Sequence, residues 1–322
     1  MQRLILIDGH AILHRAYHAL PPLTSKDGMI INAVYGFTTM LLRILEDHKP
    51  THLAVAFDLP APTFRSQAYT GYQARRPEME SNLSKQIPLV HEMLAALKIP
   101  YFETAGYEAD DMIGSLAKQA AEVKSEKLKA KSDKNLETII ITGDRDMLQL
   151  LNTSTKVCFP VKGLSEYKTY DSKLMEEEFG VTPAQWIDVK ALKGDASDNY
   201  PGVAGIGPKT AEKLIKEYGT LENLYSNLDK LELKLKLKLA EGAEAARLGK
   251  KLATIVTDAP IKLDLKKMEV AKIDWEKGVE YMKSKLGFRT IVERIEKMYL
   301  NKKSTPPSHE ARADTGGQMS LL

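Results

Sequence analysis

Acidic side chains end three short apolar runs of the sequence, and their recurrence is the first sign of chemistry. The acids are Asp8, Asp58, Asp144 and Asp146, which follow the apolar runs at residues 4–7, 53–57 and 138–142. A single aspartate at such a place is commonly a turn residue or a helix cap. The same arrangement after three separate runs favours a shared site.

Two further acidic clusters lie elsewhere in the chain. Glu108, Asp110 and Asp111 begin a helical pattern, whereas Asp195 and Asp198 precede a glycine-rich turn. If all these carboxylates converge, their mutual repulsion opposes folding unless cations neutralise it. Oxygen ligands select Mg²⁺, or Mn²⁺ in its place, over zinc. Two such ions would promote the in-line attack of water on a phosphodiester.

The glycine-rich turn spans residues 202–207 and leads into a helical pattern at residues 208–218. It is not an ATP-binding P-loop, because Pro208 stands where that motif needs glycine. We interpret it as a helix-hairpin-helix, whose backbone N–H groups approach a DNA phosphate. A plain helix N-terminus after flexible glycines is the alternative. The DNA-binding residues predicted here are Gly202, Gly205, Gly207 and Lys209.

Basic and aromatic residues alternate in the segment between the second and third acidic sites, residues 60–88. They are Phe64, Arg65, Tyr69, Tyr72, Arg75, Arg76 and Lys85. Arginines grip backbone phosphates, and aromatic rings stack on unpaired bases. An ordinary solvated loop and helix is the alternative, but the position beside the acids favours DNA binding.

Strands and helices in alternation would position all these residues. The three acid-terminated runs are apolar on both faces, and helical patterns such as residues 34–47 and 83–97 separate them. This arrangement is typical of an α/β fold with a parallel sheet covered by helices. Ligands bind at the carboxyl ends of the strands in such sheets, which is where the acids would gather.

Composition indicates a globular protein of a reducing compartment. The chain has 322 residues, 43% of them apolar, and a net charge of +3, so binding to a polyanion must depend on local basic clusters. Its single cysteine, Cys158, excludes a disulfide framework and a cysteine zinc site, and the histidines show no metal-ligand spacing. No signal peptide or membrane-spanning run is present. We therefore expect a cytoplasmic monomer with no membrane partner.

Five motifs occur in a recognisable order. They read IDGHAILHRAYHAL, FDLPAPTFRSQAYTGYQARR, GYEADD, ITGDRDMLQLL and GDASDNYPGVAGIGPKTA. Together they resemble the flap endonuclease family, and within it the 5′-nuclease (5′-3′ exonuclease) domain of bacterial DNA polymerase I, over about residues 1–298. The resemblance implies a nucleoid-associated enzyme of replication and repair that removes 5′ flaps, RNA primers and damaged strands. It also implies a parallel-sheet catalytic domain at 1–180, a helical arch at about 60–90 and a helical region with the helix-hairpin-helix at 181–298.

The resemblance carries roles onto individual residues. The metal-site acids it implies are Asp8, Asp58, Glu108, Asp110, Asp111, Asp144, Asp146, Asp195 and Asp198. Arg15 matches an arginine near the substrate, Tyr72 and Arg76 match residues of the arch, and the glycine turn can also bind K⁺ through its carbonyls. The catalytic residues expected are Asp8, Asp58, Arg75 and Arg76.

One position departs from the family pattern. Where relatives have an arch lysine that reaches the scissile phosphate, this chain has Gln73. A neutral amide cannot supply that charge, which weakens stabilisation of the transition state. Arg75 is the candidate to replace it. We therefore expect Gln73→Lys to raise the cleavage rate and Arg75→Ala to lower it.

Three other stretches also call for interpretation. Residues 122–137 are rich in lysine and indicate an insertion, either a solvated helical extension or a second DNA contact. Residues 231–239 alternate leucine with charge, which locally predicts a strand, whereas the resemblance implies a helix. Residues 299–322 have the composition of a flexible tail, and no proofreading or polymerase domain follows, as in a free-standing nuclease or the front part of a longer chain.

The last residues resemble the short bacterial motif that docks into the sliding clamp. They are Gln318, Met319, Ser320, Leu321 and Leu322. Two rival functions remain open for the whole chain. One is an RNA-cutting nuclease of the PIN type, which lacks the glycine turn and the arch. The other is a catalytically silent binder of DNA structures, which Gln73 makes conceivable but the full set of acids argues against.

Overall fold

A computed structural model describes residues 2–129, 136–162 and 166–300 of the chain. Its β-strands are β1 Gln2–Asp8, β2 His52–Ala56, β3 Tyr101–Phe102, β4 Leu136–Ile141, β5 Thr155–Lys162, β6 Glu166–Tyr170, β7 Gly194–Asp195 and β8 Tyr200–Pro201. Its α-helices are α1 Gly9–Ala19, α2 Asn32–His48, α3 Phe64–Ala68, α4 Ser81–Ser84, α5 Ile87–Ala96, α6 Ala109–Lys129, α7 Ser172–Phe179, α8 Pro183–Lys193, α9 Pro208–Tyr218, α10 Leu221–Ser226, α11 Leu233–Glu241, α12 Ala243–Ala253, α13 Trp275–Tyr281 and α14 Arg289–Ile295. Short 3₁₀ helices cover Arg145–Leu150, Leu228–Lys230 and Val270–Lys272, and π-helical turns cover Met282–Leu286 and Glu296–Leu300.

A six-stranded sheet forms the centre of the molecule, in the order β3-β2-β1-β4-β5-β6. All neighbouring strands run parallel except β5 and β6, which are antiparallel. The predicted α/β class with a parallel sheet is therefore confirmed. The chain turns to opposite sides of β1 when it adds β2 and β4, and a ligand crevice opens at the carboxyl edge beside such a reversal.

Helices cover both faces of this sheet because the strands are apolar on both. Leu4 and Leu6 of β1 pack on the face that α6 and α8 cover. Ile5 and Ile7 point the other way, into the core formed with α1, α2, α5 and α14. Alternate residues of one strand therefore belong to two separate cores, as the two-residue period of a strand requires. Among the described residues, no helix is long and apolar enough to cross a membrane.

The leucine-rich stretch at residues 231–239 is helical from Leu233, where α11 begins, so its local strand prediction was wrong and the helix implied by the resemblance is confirmed there. Four leucines spaced by two residues fall on two faces of α11. Leu235 and Leu239 pack on the core, whereas Leu233 and Leu237 are 70% and 52% exposed. The alternation reflects a half-exposed helix whose outer face carries two leucines.

Two segments that the sequence singled out are only partly helical or partly described. The predicted arch contains the short helices α3 and α4, joined by a turn at residues 70–76. The lysine-rich stretch begins inside α6, which continues to Lys129. Residues 130–135 of that stretch lie outside the described part of the chain, and so does the tail from residue 301 with its clamp motif.

Candidate metal centre and nucleic-acid interface

Asp8 ends β1 and caps α1, which fixes its carboxylate at the carboxyl edge of the sheet. Its Oδ1 accepts a hydrogen bond from the Ala11 N–H at 3.0 Å, and its Oδ2 accepts one from the Thr142 hydroxyl at 2.8 Å. Burial and the charge of Asp58 raise the pKa of Asp8 to about 7. This carboxylate is therefore held firmly in a place that favours a neutralising cation.

Asp58 and Asp110 reach the same place from β2 and α6. Asp58 accepts a hydrogen bond from the Ala109 N–H at 2.7 Å, so it also caps α6. Burial raises the pKa of Asp110 well above its usual value, and the charges of Asp144, Asp8 and Asp58 add to the effect. Such mutual effects require the acids to be close neighbours. The structure thus brings the acids that follow β1, β2 and β4 together at the start of α6.

Asp146, Asp195 and Asp198 form the tightest acidic group. One carboxylate oxygen of each lies within 4.8 Å of the others, a spacing that fits oxygen ligands around one hard cation. Burial and the charge of Asp144 raise the pKa of Asp146 to about 7, although Lys190 opposes the shift. Three acids from two distant loops therefore offer a preformed set of metal ligands.

Lys190 of α8 is a member of this site that the sequence analysis missed. Its ammonium lies 2.6 Å from Asp146 Oδ1 and also contacts Asp195, and the side chain is almost fully buried. Burial opposes ionisation of Asp195, but the bonds from Lys190 and Ser197 lower the pKa of Asp195 to about 2. The sequence signal for Lys190 is that it lies among apolar residues of α8, five positions before Asp195.

The acids open into a large cavity of about 1820 Å³. Residues from the sheet edge, the arch segment, α1, α8 and α9 line it together. Histidines at positions 10, 14 and 18 share one face of α1 and line the cavity, a spacing of four that the sequence analysis overlooked. The nitrogen Nδ1 of His10 accepts a hydrogen bond from the Asp58 N–H at 3.1 Å. The cavity is large enough for a strand of nucleic acid beside the acids.

The arch segment is joined to the acidic loop by three hydrogen bonds, which we call the arch clasp. The Gln73 N–H donates to the Asp198 carbonyl at 2.8 Å, and the Gln73 side-chain amide donates to Asp198 Oδ1 at 3.1 Å. The Asn199 amide donates to the Gly71 carbonyl at 2.6 Å. Gln73 and Asn199 both adopt a φ of 54°, which is uncommon for residues other than glycine. Gln73 thus contacts a metal-site acid.

The glycine turn at residues 202–207 follows β8 and leads into α9. Val203 and Ile206 are buried and anchor it, while the residues between them are exposed. A Cβ on Gly202 would lie 2.3 Å from backbone atoms of Gly194 and Lys193, so only glycine fits there. The turn therefore presents its backbone to solvent next to the N-terminus of α9, as a phosphate-binding hairpin requires.

Comparisons with known proteins agree with this geometry. Residues 3–180 match the family described as 5′-3′ exonuclease, N-terminal resolvase-like domain, and residues 181–276 match 5′-3′ exonuclease, C-terminal SAM fold. The chain belongs to the 5′-3′ exonuclease family. Accordingly, the predicted family and the predicted nuclease activity are confirmed.

Relatives of this 5′-3′ exonuclease include the DNA polymerases I of two bacilli. The chain is 42% identical to that of Bacillus caldotenax over 296 residues, which cover 92% of the chain and 32% of the relative. For Bacillus subtilis strain 168 it is 40% identical over 295 residues, with coverage of 91% and 32%. The chain thus spans about a third of the length of the curated relatives it matches.

Two solved structures of bacteriophage T5 proteins share the fold of the 5′-3′ exonuclease. One is the T5 5′-exonuclease with bound zinc, with a TM-score of 0.63, 21% identity, and coverage of 93% of this chain and 99% of that one. The other is a variant T5 flap endonuclease in a pseudo-enzyme-product complex with DNA and metal ions. Its TM-score is 0.62, its identity 19%, and its coverage 93% of this chain and 98% of that one.

Two residues predicted for the site of the exonuclease have a different place in the structure. The guanidinium of Arg65 bonds to both oxygens of Asp111 at 2.8 Å and to the carbonyls of Leu252 and Thr254 at 2.9 Å. Arg65 is only 3% exposed and Asp111 is fully buried. Arg65 also lines the cavity, so its contact with DNA stays a prediction, although its guanidinium already has four partners. Both oxygens of Asp111 already accept hydrogen bonds, and Asp111 is not among the residues that line the cavity.

The predicted arch residues of the exonuclease differ in their positions relative to the acids and the cavity. The Tyr72 hydroxyl donates to Glu108 Oε2 at 3.1 Å, which places this tyrosine against the acids. Arg76 lines the cavity. Burial lowers the pKa of His10 and raises the pKa of Asp198; the charge of Arg76 adds to the first shift and opposes the second. Arg75 is exposed and is not among the residues that line the cavity. Arg76 therefore lies closer to the cavity than Arg75 does, whereas the replacement of the arch lysine by Arg75 stays a prediction.

DNA binding by Arg15 and Lys209 stays a prediction. Arg15 lies on α1. Burial raises the pKa of Tyr167 in β6 to about 12, and the charge of Arg15 opposes this shift. Lys209 is exposed in the first turn of α9, next to Gly207, where a phosphate held by the turn would meet it.

Proposed function

We propose that this chain is a Mg²⁺-dependent nuclease that cuts 5′ flaps, nicked strands and RNA primers from DNA during replication and repair. It would act both as a 5′-3′ exonuclease and as a structure-specific flap endonuclease. The observation that carries the proposal is the convergence of Asp146, Asp195 and Asp198 on a cavity that also reaches the arch segment and α9. Oxygen ligands of this kind favour Mg²⁺, with Mn²⁺ as a substitute.

The residues of the chain divide into metal holders and substrate holders. When bound, two divalent ions supply positive charge to the scissile phosphate and favour attack by water. The residues that would hold them are Asp8, Asp58, Glu108, Asp110, Asp144, Asp146, Asp195 and Asp198. Arg76 would contact a phosphate of the threaded strand from the cavity wall, and Tyr72 would keep Glu108 in place through its hydroxyl. The glycine turn would hold the duplex by its phosphates.

Cleavage of a 5′-end-labelled flap duplex tests the proposal. Product lengths are compared with Mg²⁺ and with chelator, and a matched single strand and a matched RNA serve as alternative substrates. Metal-dependent cutting near the flap junction supports the proposed function. Preferred cutting of the RNA would instead indicate a PIN-type nuclease.

A paired substitution separates cutting from binding. Asp195→Asn with Asp198→Asn removes two charges from the tightest acidic group, so it should abolish cleavage. Binding of the flap should persist or tighten, because less negative charge opposes the DNA. A wild-type chain that binds the flap but never cuts it would support the silent binder.

We also propose that K⁺ binds the glycine turn through backbone carbonyls. Lys238 of α11 already donates to the Gly205 carbonyl at 3.3 Å, so a K⁺ ion would use other carbonyls of the turn. Flap binding measured in KCl and in tetramethylammonium chloride at equal ionic strength tests this. Equal affinities in the two salts argue against a K⁺ site.

We further propose that the protein is a nucleoid-associated monomer that the sliding clamp recruits through residues 318–322. Deleting those residues should abolish clamp binding in a pull-down and leave cleavage of naked flap DNA intact. Clamp binding that survives the deletion contradicts the proposal. Light scattering of the purified chain tests the monomeric state.

A further inference from the structure

A basic wall lines the cavity beside the acidic group, and the chemistry described above uses only one of its members, Lys190. Lys190 and Lys193 are three residues apart on α8, and they share a face with Trp186 at helical spacing. All three line the large cavity. Arg145 lines the cavity too, from the 3₁₀ helix that packs against α8.

Two of these cations form no close ion pair among the described residues, although Asp195 and Asp146 lie near enough for their charges to act on Lys193. Lys190 is fully engaged, because it pairs with Asp146 and Asp195. Lys193 and Arg145 form no ion pair in the part of the chain that the structure describes, and Lys193 is half-buried. A half-buried ammonium beside an unpaired guanidinium favours an anion in the cavity, since burial makes an uncompensated charge costly.

The position of the wall indicates which anion it would hold. Lys193 lies two residues before Asp195, at one end of the wall. At the other end, Pro208 and Glu212 of α9 line the same cavity just beyond the glycine turn. Glu212 repels anions, so the favourable charge is concentrated on the side of Lys193. An anion bound there lies between the acids and the turn.

We propose that Lys193 and Arg145 form a further phosphate-binding site, for a phosphodiester of the strand that runs from the cleaved bond to the duplex held by the glycine turn. This inference rests on the proposed function, because it needs DNA in the cavity. Phe179 and Trp186 form an apolar floor to the wall, with ring centroids 5.0 Å apart, against which a sugar or base can pack. The site would fix the distance between the cut and the duplex.

The salt dependence of DNA binding tests the charge contacts. The affinity for a labelled flap duplex is measured over a salt series with Ca²⁺ in place of Mg²⁺, and gels verify that the DNA stays intact. The slope of log K against log salt should fall by about 0.9 for Lys193→Gln and by about twice that when Arg145→Gln is added. Lys118→Gln, on an exposed position of α6, is the matched control and should leave the slope unchanged. Lys193→Arg should restore it.

Neutral DNA linkages locate the contact. A set of flaps, each with one methylphosphonate, is bound to the wild type and to Lys193→Gln. Methylphosphonate at one or two neighbouring linkages between the cut and the duplex should weaken binding by the wild type and should not weaken binding by the variant further. Equal effects at every linkage, or a slope like that of Lys118→Gln, would overturn the site. Loss of stability in urea with an unchanged slope would also overturn it, by showing that Lys193 only stabilises the end of α8.

Failure of the site is distinguishable from failure of the proposed function. A wild-type chain that cuts flaps with Mg²⁺, while its variants keep the wild-type slope, retains the function and loses the site. A wild-type chain that neither binds nor cuts a flap loses both.

Discussion

Replacement of Arg65 by methionine should destabilise the whole protein and leave DNA binding by the folded chain almost unchanged. Arg65 makes four hydrogen bonds of 2.8 to 2.9 Å that tie α3 to Asp111 of α6 and to the carbonyls of Leu252 and Thr254. Methionine has a similar length and cannot donate. The variant therefore retains a fully buried carboxylate without its counter-charge.

The expected loss follows from the burial of this pair. Breaking a buried ion pair on one side costs about 3–5 kcal/mol in the free energy of unfolding, because the remaining charge is uncompensated. The Asp111 carboxylate still accepts from the Glu108 N–H at 3.0 Å and the Val256 N–H at 2.8 Å, which moderates the loss. We expect about 3 kcal/mol for Arg65→Met.

Urea unfolding in the presence of chelator measures this loss, and a second substitution tests its cause. Asp111→Asn added to Arg65→Met removes the buried charge. It keeps one oxygen for only one of the two N–H groups, because the Glu108 and Val256 N–H groups bond to different oxygens of Asp111. Removal of the charge outweighs this one lost hydrogen bond, which costs about 1 kcal/mol. The double variant should therefore be more stable than Arg65→Met alone, a non-additive result. Arg43→Met is the matched control, because the Arg43–Asp47 pair on α2 is largely exposed and should contribute less than about 0.5 kcal/mol.

One result would refute this reasoning. If Arg65→Met is as stable as Arg43→Met and its DNA binding becomes less dependent on salt, then Arg65 contacts phosphate in solution. The interaction with Asp111 would then be a minor one.

Three further experiments test other residues of the structure. Lys190→Met should tighten Mg²⁺ binding in calorimetry by roughly tenfold, because a positive charge leaves the ligands Asp146 and Asp195; weaker binding would contradict this. Leu239→Ala should cost about 2–5 kcal/mol in urea unfolding, whereas Leu233→Ala should change stability by less than about 0.5 kcal/mol. Equal losses would mean that α11 does not have the described faces. Gln73→Lys should raise the single-turnover rate of flap cleavage. An unchanged or lower rate would show that cleavage does not require a cation at this position of the arch.

The sequence predicted the parts of the fold that local pattern controls. The apolar runs that became β1, β2 and β4 are buried on both faces, and each is followed by an acid that turns toward α1 or α6. The helix at residues 208–218 was predicted with the bounds that the structure shows, since Pro208 starts it and Gly219 ends it. Short strands such as β3 were missed, because two residues carry no periodicity.

Pairings across the chain could not be predicted from the residues alone. Arg65 and Asp111 are 46 positions apart, and only the structure shows that they are buried and paired with each other. Lys190 was missed for the same reason, because its acidic partners come from other elements. The alternation at residues 231–239 misled the analysis, since period two arises both in a strand and in a helix with leucines on two faces.

The arch clasp has a consequence for cooperativity. It links residues 71–73 to residues 198–199 by three hydrogen bonds, across more than 120 positions of the chain. Any ligand that immobilises Asp198 therefore also restricts the conformations of Gln73 and its neighbours. The arch has then already lost conformational entropy when a DNA strand enters. The first ligand therefore favours binding of the DNA strand, although the two do not touch.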